Sequence, residues 1–144
     1  MFSKACEYGI RAMMYIAQKS KAGERIGIKE ISKGIDSPEA FVAKILQDLS
    51  RKGLVMSIRG PNGGFYIDSK LQKITLADVV TAIDGNDLFT GCGLGLSACN
   101  EKKPCPIHDE FKAIREKLTR MLESAYVEEF TESLEKKLSF LKRN

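Results

Sequence analysis

The stretch Leu54 to Ile67, LVMSIRGPNGGFYI, decides how the chain reads. Leu54 to Ile58 is apolar and partly β-branched, and Phe65 to Ile67 resembles it, so both ends suit strands. Between them Arg59-Gly60-Pro61-Asn62-Gly63-Gly64 gathers the residue types that reverse a chain. A β-hairpin is predicted here, and three helices are predicted before it. Phe2, Cys6, Ile10, Met13 and Ala17 recur at helical spacing, and Ile28, Ile31 and Ile35 mark a short second helix. Ser37-Pro38 offers an N-cap and a residue whose φ suits the first helical position; Phe41, Val42, Ile45, Leu46 and Leu49 would then face inward until Gly53 ends the third helix. Helix, helix, helix, hairpin is the order of a winged helix-turn-helix, with a generic small α+β domain as the other arrangement.

Downstream, Thr75-x-x-Asp78 has the form of a capping box opening a fourth helix through Val79, Val80 and Ile83, closed by Gly85. Asp87 to Pro106 has no apolar period and reads as a loop, and a loop of that length tends to be functional. From Ile107 the apolar residues Ile107, Phe111, Ile114, Leu118, Met121 and Ala125 form a heptad seam suited to packing against a second helix. Val127, Phe130, Leu134, Leu138 and Leu141 are out of phase with that seam, which places a break near Ser124 to Tyr126. The expected organisation is a winged helix-turn-helix over 1–73, a linking helix and cysteine-rich loop over 74–106, and a dimerisation helix with a C-terminal helical segment over 107–144. The fold class is therefore mainly α with a small β-hairpin.

The chain has 144 residues, 43% hydrophobic and 29% charged, enough for one core and too few for two large domains. Residues 1–73 hold 13 Lys and Arg against 7 Asp and Glu, while 74–144 hold 10 against 12, so the basic half is the candidate nucleic-acid face. Lys4, Glu7 and Arg11 interrupt the N-terminal apolar pattern, and no run approaches membrane-spanning length. The expectation is a cytoplasmic protein with no membrane partner, where clustered cysteines bind metal or react rather than form disulfides. With a single histidine, no phosphate-binding Gly-Lys-Ser/Thr loop and no His-Glu-x-x-His helix, the sequence argues against an enzyme.

The third helix would be the recognition helix. Its outward side presents Ala40, Ala43, Lys44, Gln47 and Arg51: small residues permit close approach to a groove, and long polar ones reach base edges or phosphates. Arg59 beside Gly60, Pro61 and Gly63-Gly64 puts a guanidinium on a turn whose backbone can lie against a phosphate or in a minor groove.

The other constellation is Cys92-x6-Cys99-x5-Cys105-x2-His108, three cysteines and the only histidine within seventeen residues. The spacings differ from the paired C-x2-C knuckles of structural zinc sites. Widely spaced thiols on a glycine-rich loop can wrap the larger body of an iron-sulfur cluster. Zinc and metal-free reactive thiols stay open as alternatives, a protein without operator function among them. Cys6, on the apolar stripe of the first helix, reads as a core residue.

Tyr8-Gly9-Ile10-Arg11-Ala12-Met13, Gly53-Leu54-Val55, the segment Ser57 to Phe65 and the three-cysteine loop together resemble the IscR/NsrR/CymR-type (Rrf-two) family of bacterial winged-helix transcriptional regulators, over about residues 1–125. The resemblance implies a homodimer packed through the long helix from Ile107, reading a palindromic double-stranded DNA operator. It also implies an iron-sulfur cluster, 2Fe-2S or 4Fe-4S, held by Cys92, Cys99 and Cys105, whose loss, oxidation or nitrosylation changes operator affinity. The first cysteine gap departs from other members, which leaves cluster type open. Cys105-x2-His108 resembles members that regulate cluster assembly and makes His108 the fourth ligand; the alternative is Glu7, matching the acidic residue that nitric-oxide-sensing members place in helix one.

Overall fold

A computed structural model describes residues 1–143. Its first helix, α1 (Lys4–Lys21), begins where the Ser3 hydroxyl accepts the Cys6 N–H at 3.0 Å. Cys6, Met13 and Ala17 are buried as the spacing predicts; Gly9, Ala12 and Ile16 complete the stripe, while Phe2 and Ile10 sit half-buried at its edge. α2 (Ile28–Ile35) and α3 (Glu39–Arg51) follow and pack on α1. The start of α3 departs from expectation twice. Pro38, not Ser37, is the N-cap, no side chain caps it, and the Ser37 hydroxyl is buried without a partner. Phe41 is exposed, with its ring beside Tyr8, because Val42, Ile45, Leu46 and Leu49 fill an arc whose edge lies one step short of it.

The hairpin is shorter than the apolar runs that announced it. β1 (Met56–Ile58) and β2 (Gly64–Tyr66) pair antiparallel with Ser57 opposite Phe65. Ile26 adds a third rung that the sequence did not reveal: its N–H donates to the Phe65 carbonyl at 3.1 Å and its own carbonyl accepts the Phe65 N–H at 2.7 Å. This approach explains Gly64, whose φ is 145° and where a Cβ would lie 2.8 Å from the Ile26 nitrogen.

α4 (Leu76–Asp84) has the complete capping box: Asp78 N–H donates to the Thr75 hydroxyl at 3.1 Å, and Thr75 N–H to the Asp78 carboxylate at 2.9 Å. Gly85, at φ 73°, ends it. The expected loop is not wholly irregular, because Asp87 to Thr90 forms a single turn, α5 (Asp87–Thr90). α6 (His108–Ser124) is the long helix, and the break falls as expected after Ser124, where a 3-10 turn (Val127–Phe130) and α7 (Thr131–Glu135) fold back on α1. Leu76 N–H to the Ala125 carbonyl (2.9 Å) and Val127 N–H to the Ile74 carbonyl (2.8 Å) stitch this return to the head of α4. Along α6, Ile107, Ile114 and Met121 are 40%, 61% and 49% exposed. Phe111 and Leu118, expected in the same seam, are half-buried against their own chain. The exposed strip is thus narrower than the heptad. The last residue of the 107–144 segment lies outside the described residues. Among the described residues no helix is long and apolar enough to cross a membrane.

Candidate nucleic-acid interface and cysteine loop

α3 and the hairpin share one face: Gln47, Ser50 and Arg51 line a common groove of about 480 Å³ with Ser57 and Phe65. Ala40, Lys44, Gln47 and Arg51 are exposed on α3 and Ala43 is half-buried; Arg51 forms an ion pair with Asp48 one turn earlier. At the tip, Arg59, Gly60 and Pro61 are exposed, and Gly63 N–H closes the turn on the Gly60 carbonyl at 2.9 Å. A side chain on Gly63 would collide with the Ile58 carbonyl, so the tight turn that projects Arg59 requires glycine there. Two polar residues at the hairpin went unread in the sequence, and of these Ser57 shares the groove with α3. Arg25 stacks over the Tyr66 ring at 5.5 Å, and only the pairing of Ile26 with Phe65 brings it there. Ser57 lies on β1 where it flanks α3.

The cysteine loop lies over the N-terminal half of α6. Cys99 Sγ is 3.4 Å from His108 Nδ1. Arg115, two turns further along α6, donates from Nη1 to Cys99 Sγ at 3.1 Å and to the Gly91 carbonyl at 2.8 Å. Arg115 carries no seam or ligand signal in the sequence, so it was missed. His108 is 6% exposed rather than on the surface, and its Nε2 is buried with no hydrogen-bond partner. Cys92 receives the Leu94 N–H at 3.4 Å. The N–H groups of Leu94 and Leu96, with a smaller contribution from the neighbouring Cys105 side chain, hold the Cys92 thiol below its ordinary pKa. Gly93 lies on the Phe111 ring, where a Cβ would come within 2.8 Å, so the loop's glycine admits a contact the apolar rhythm had assigned to the seam.

Of the four loop residues, Cys99 and His108 are in contact, while Cys105 approaches Cys92 closely enough to help lower its pKa. Among the described residues no three Cys, His, Asp or Glu side chains converge on one metal position. Cys92 also borders an apolar cleft of about 750 Å³ between the head of α1 and α6, walled by Phe2, Ile114 and Leu118. Glu7 pairs instead with Lys4 at 3.1 Å on α1. Cys6 is fully buried, and burial, then the Asp84 charge, push its pKa up to about 12.

Residues 2–133 match a family model described as Rrf2, iron-dependent transcriptional regulator. Over 128 residues the chain is 28% identical to the HTH-type transcriptional regulator IscR of Xenorhabdus nematophila, covering 89% of this chain and 77% of the relative. Solved structures are similar as well, CymR and IscR among them. CymR of B. subtilis, described as the global cysteine regulator, has a TM-score of 0.72 at 22% identity, over 92% of this chain and 96% of that one. T. potens IscR has a TM-score of 0.72 at 18% identity, over 96% and 91%. At these identities the structural likeness establishes the winged-helix fold alone.

Proposed function

The chain belongs to the Rrf2 family of transcriptional regulators, and from that premise we propose that it binds a palindromic operator as a homodimer whose affinity is set by an iron-sulfur cluster. α3 and the hairpin tip are the reading elements. The exposed strip Ile107, Ile114 and Met121 is the proposed dimer seam, with half-buried Phe111 and Leu118 bordering it.

The observation that carries the cluster reading is the state of His108. A buried imidazole nitrogen with no partner is a donor that the chain leaves unused, beside three half-buried thiols. Thiolates and imidazole are donors that iron accepts, and four donors spread along the loop, no three of them converging among the described residues, suit a multi-iron body better than one tetrahedral ion. Cys92, Cys99, Cys105 and His108 would hold it, with Glu7 as the alternative fourth ligand. When bound, the cluster supplies a centre sensitive to oxidation and to nitric oxide. The chain supplies the coupling. Arg115 ties the loop to α6, and the Ser3 hydroxyl donates to Asp84 at 2.6 Å, joining the start of α1 to the end of α4 beside the loop. α1 in turn packs on α2 and α3, so loop geometry reaches the recognition helix through helices already in contact.

A second reading, a thiol-based regulator without metal, is favoured by the lowered pKa of Cys92 next to Cys105. Purification without oxygen separates the two. The cluster reading expects a brown protein containing iron and acid-labile sulfide, and His108→Ala, not Glu7→Ala, should lower the iron content. A colourless protein, or one holding only zinc, would sink it.

A further inference from the structure

Between the stalk of the hairpin and the C-terminal return lies a cavity of about 350 Å³ that none of the preceding chemistry uses. Ile67, Ile74 and Val127 give it an apolar floor, and Ser20, Lys21, Glu128 and Thr131 bring polar groups to its walls. Thr131 is 1% exposed, and its hydroxyl has no hydrogen-bond partner. Valine would fill the same volume without leaving a polar group unpaired, so the hydroxyl points to a partner from outside the chain.

Lys21 and Glu128 bring opposite charges to the same cavity, yet neither forms an ion pair among the described residues. Ser20 Oγ accepts the Ile67 N–H at 2.9 Å, which leaves its own O–H free to donate. One wall therefore offers an ammonium and a hydroxyl donor, and the other a carboxylate and a hydroxyl acceptor. The volume is near the lower end of the roughly 300–1,000 Å³ of small-molecule pockets.

We propose that this cavity is an effector site for a free α-amino acid. The ligand carboxylate would meet Lys21 and Ser20, its ammonium Glu128 and Thr131, and its side chain the Ile67, Ile74 and Val127 floor. Ile67 carries this floor to the base of the hairpin, while the 2.8 Å hydrogen bond from Val127 to Ile74 ties the C-terminal return to the head of α4, so an occupant braces the hairpin base against α1 and that return and shifts operator affinity. That last step rests on the operator-binding reading; ligand binding itself does not.

Calorimetry of the full chain against each standard L-amino acid, with acetate and methylamine as single-charge controls, tests the site. At least one amino acid with an uncharged side chain should bind, and neither control should. Glu128→Gln and Thr131→Val should each weaken binding on the order of tenfold. Thr131→Val should do so without lowering the Tm, which separates a lost ligand contact from a damaged fold. No binding at millimolar concentration, equal binding of acetate or methylamine, or binding that survives both substitutions overturns the site. A ligand that binds and leaves operator affinity unmoved overturns the coupling alone.

Discussion

Arg115 Nη1 lies 3.1 Å from Cys99 Sγ and 2.8 Å from the Gly91 carbonyl oxygen, so one side chain of α6 holds the loop at two points. Both bonds leave one nitrogen, whose two N–H groups are fixed in the guanidinium plane, a direction that the rotating ammonium of a lysine does not hold. Arg115→Leu should therefore lower iron incorporation and speed cleavage of the loop in limited proteolysis, with Arg115→Lys intermediate. Wild-type iron content and cleavage rate in Arg115→Leu would show that the loop is positioned by other contacts.

Ile114 is the most exposed residue of the α6 strip and gives little to its own core, so its substitution tests association rather than folding. Ile114→Glu would place an unpaired charge in the proposed interface, at a cost of several kcal/mol for each buried ion. Sedimentation should show a monomer with unchanged helicity. A persisting dimer moves the interface to another face.

Arg59 stands on the exposed hairpin tip and takes no part in an ion pair among the described residues. Arg59→Ala should cost about 1–3 kcal/mol of operator binding if it reads a base, or reduce the salt slope by about one if it meets a phosphate. Unchanged affinity and salt dependence together would remove it from the reading face.

Cys6 is a neutral thiol held inside α1, with a folded-state pKa raised from 9.0 to about 12. The sign follows from proton counting: the unfolded chain releases this proton at lower pH than the folded one. Its contribution is therefore full below pH 9.0 and fades as pH rises towards about 12. Cys6→Ala should show a shallower loss of Tm with alkali than the parent chain, and Cys92 should be alkylated before Cys6 in the folded protein. Equal alkylation rates would contradict the burial argument.

What the sequence disclosed and what it hid divide by the range of the interaction. Thr75 and Asp78 are three residues apart and satisfy each other, and Arg59 to Gly64 turn within themselves, so both were legible. The burial of His108 depends on a loop folding over α6, and the Arg115 contact spans sixteen residues; no local period encodes either. Phe111 misled for a related reason: it keeps the heptad spacing, but Gly93 opposite it admits the loop, and a contact with the chain's own backbone replaces part of the seam. Phe41 likewise satisfied an apolar pattern while lying beyond the buried arc of α3.

The central claim is that the loop's cofactor sets operator affinity, and one titration addresses it. A palindromic DNA selected from a random pool would be titrated without oxygen with cluster-loaded protein, with the same preparation after iron removal, and with Cys99→Ser. The account predicts that the two wild-type curves differ by at least tenfold, about 1.4 kcal/mol, and that Cys99→Ser follows the iron-free curve. Superimposed curves for loaded and iron-free protein would contradict it.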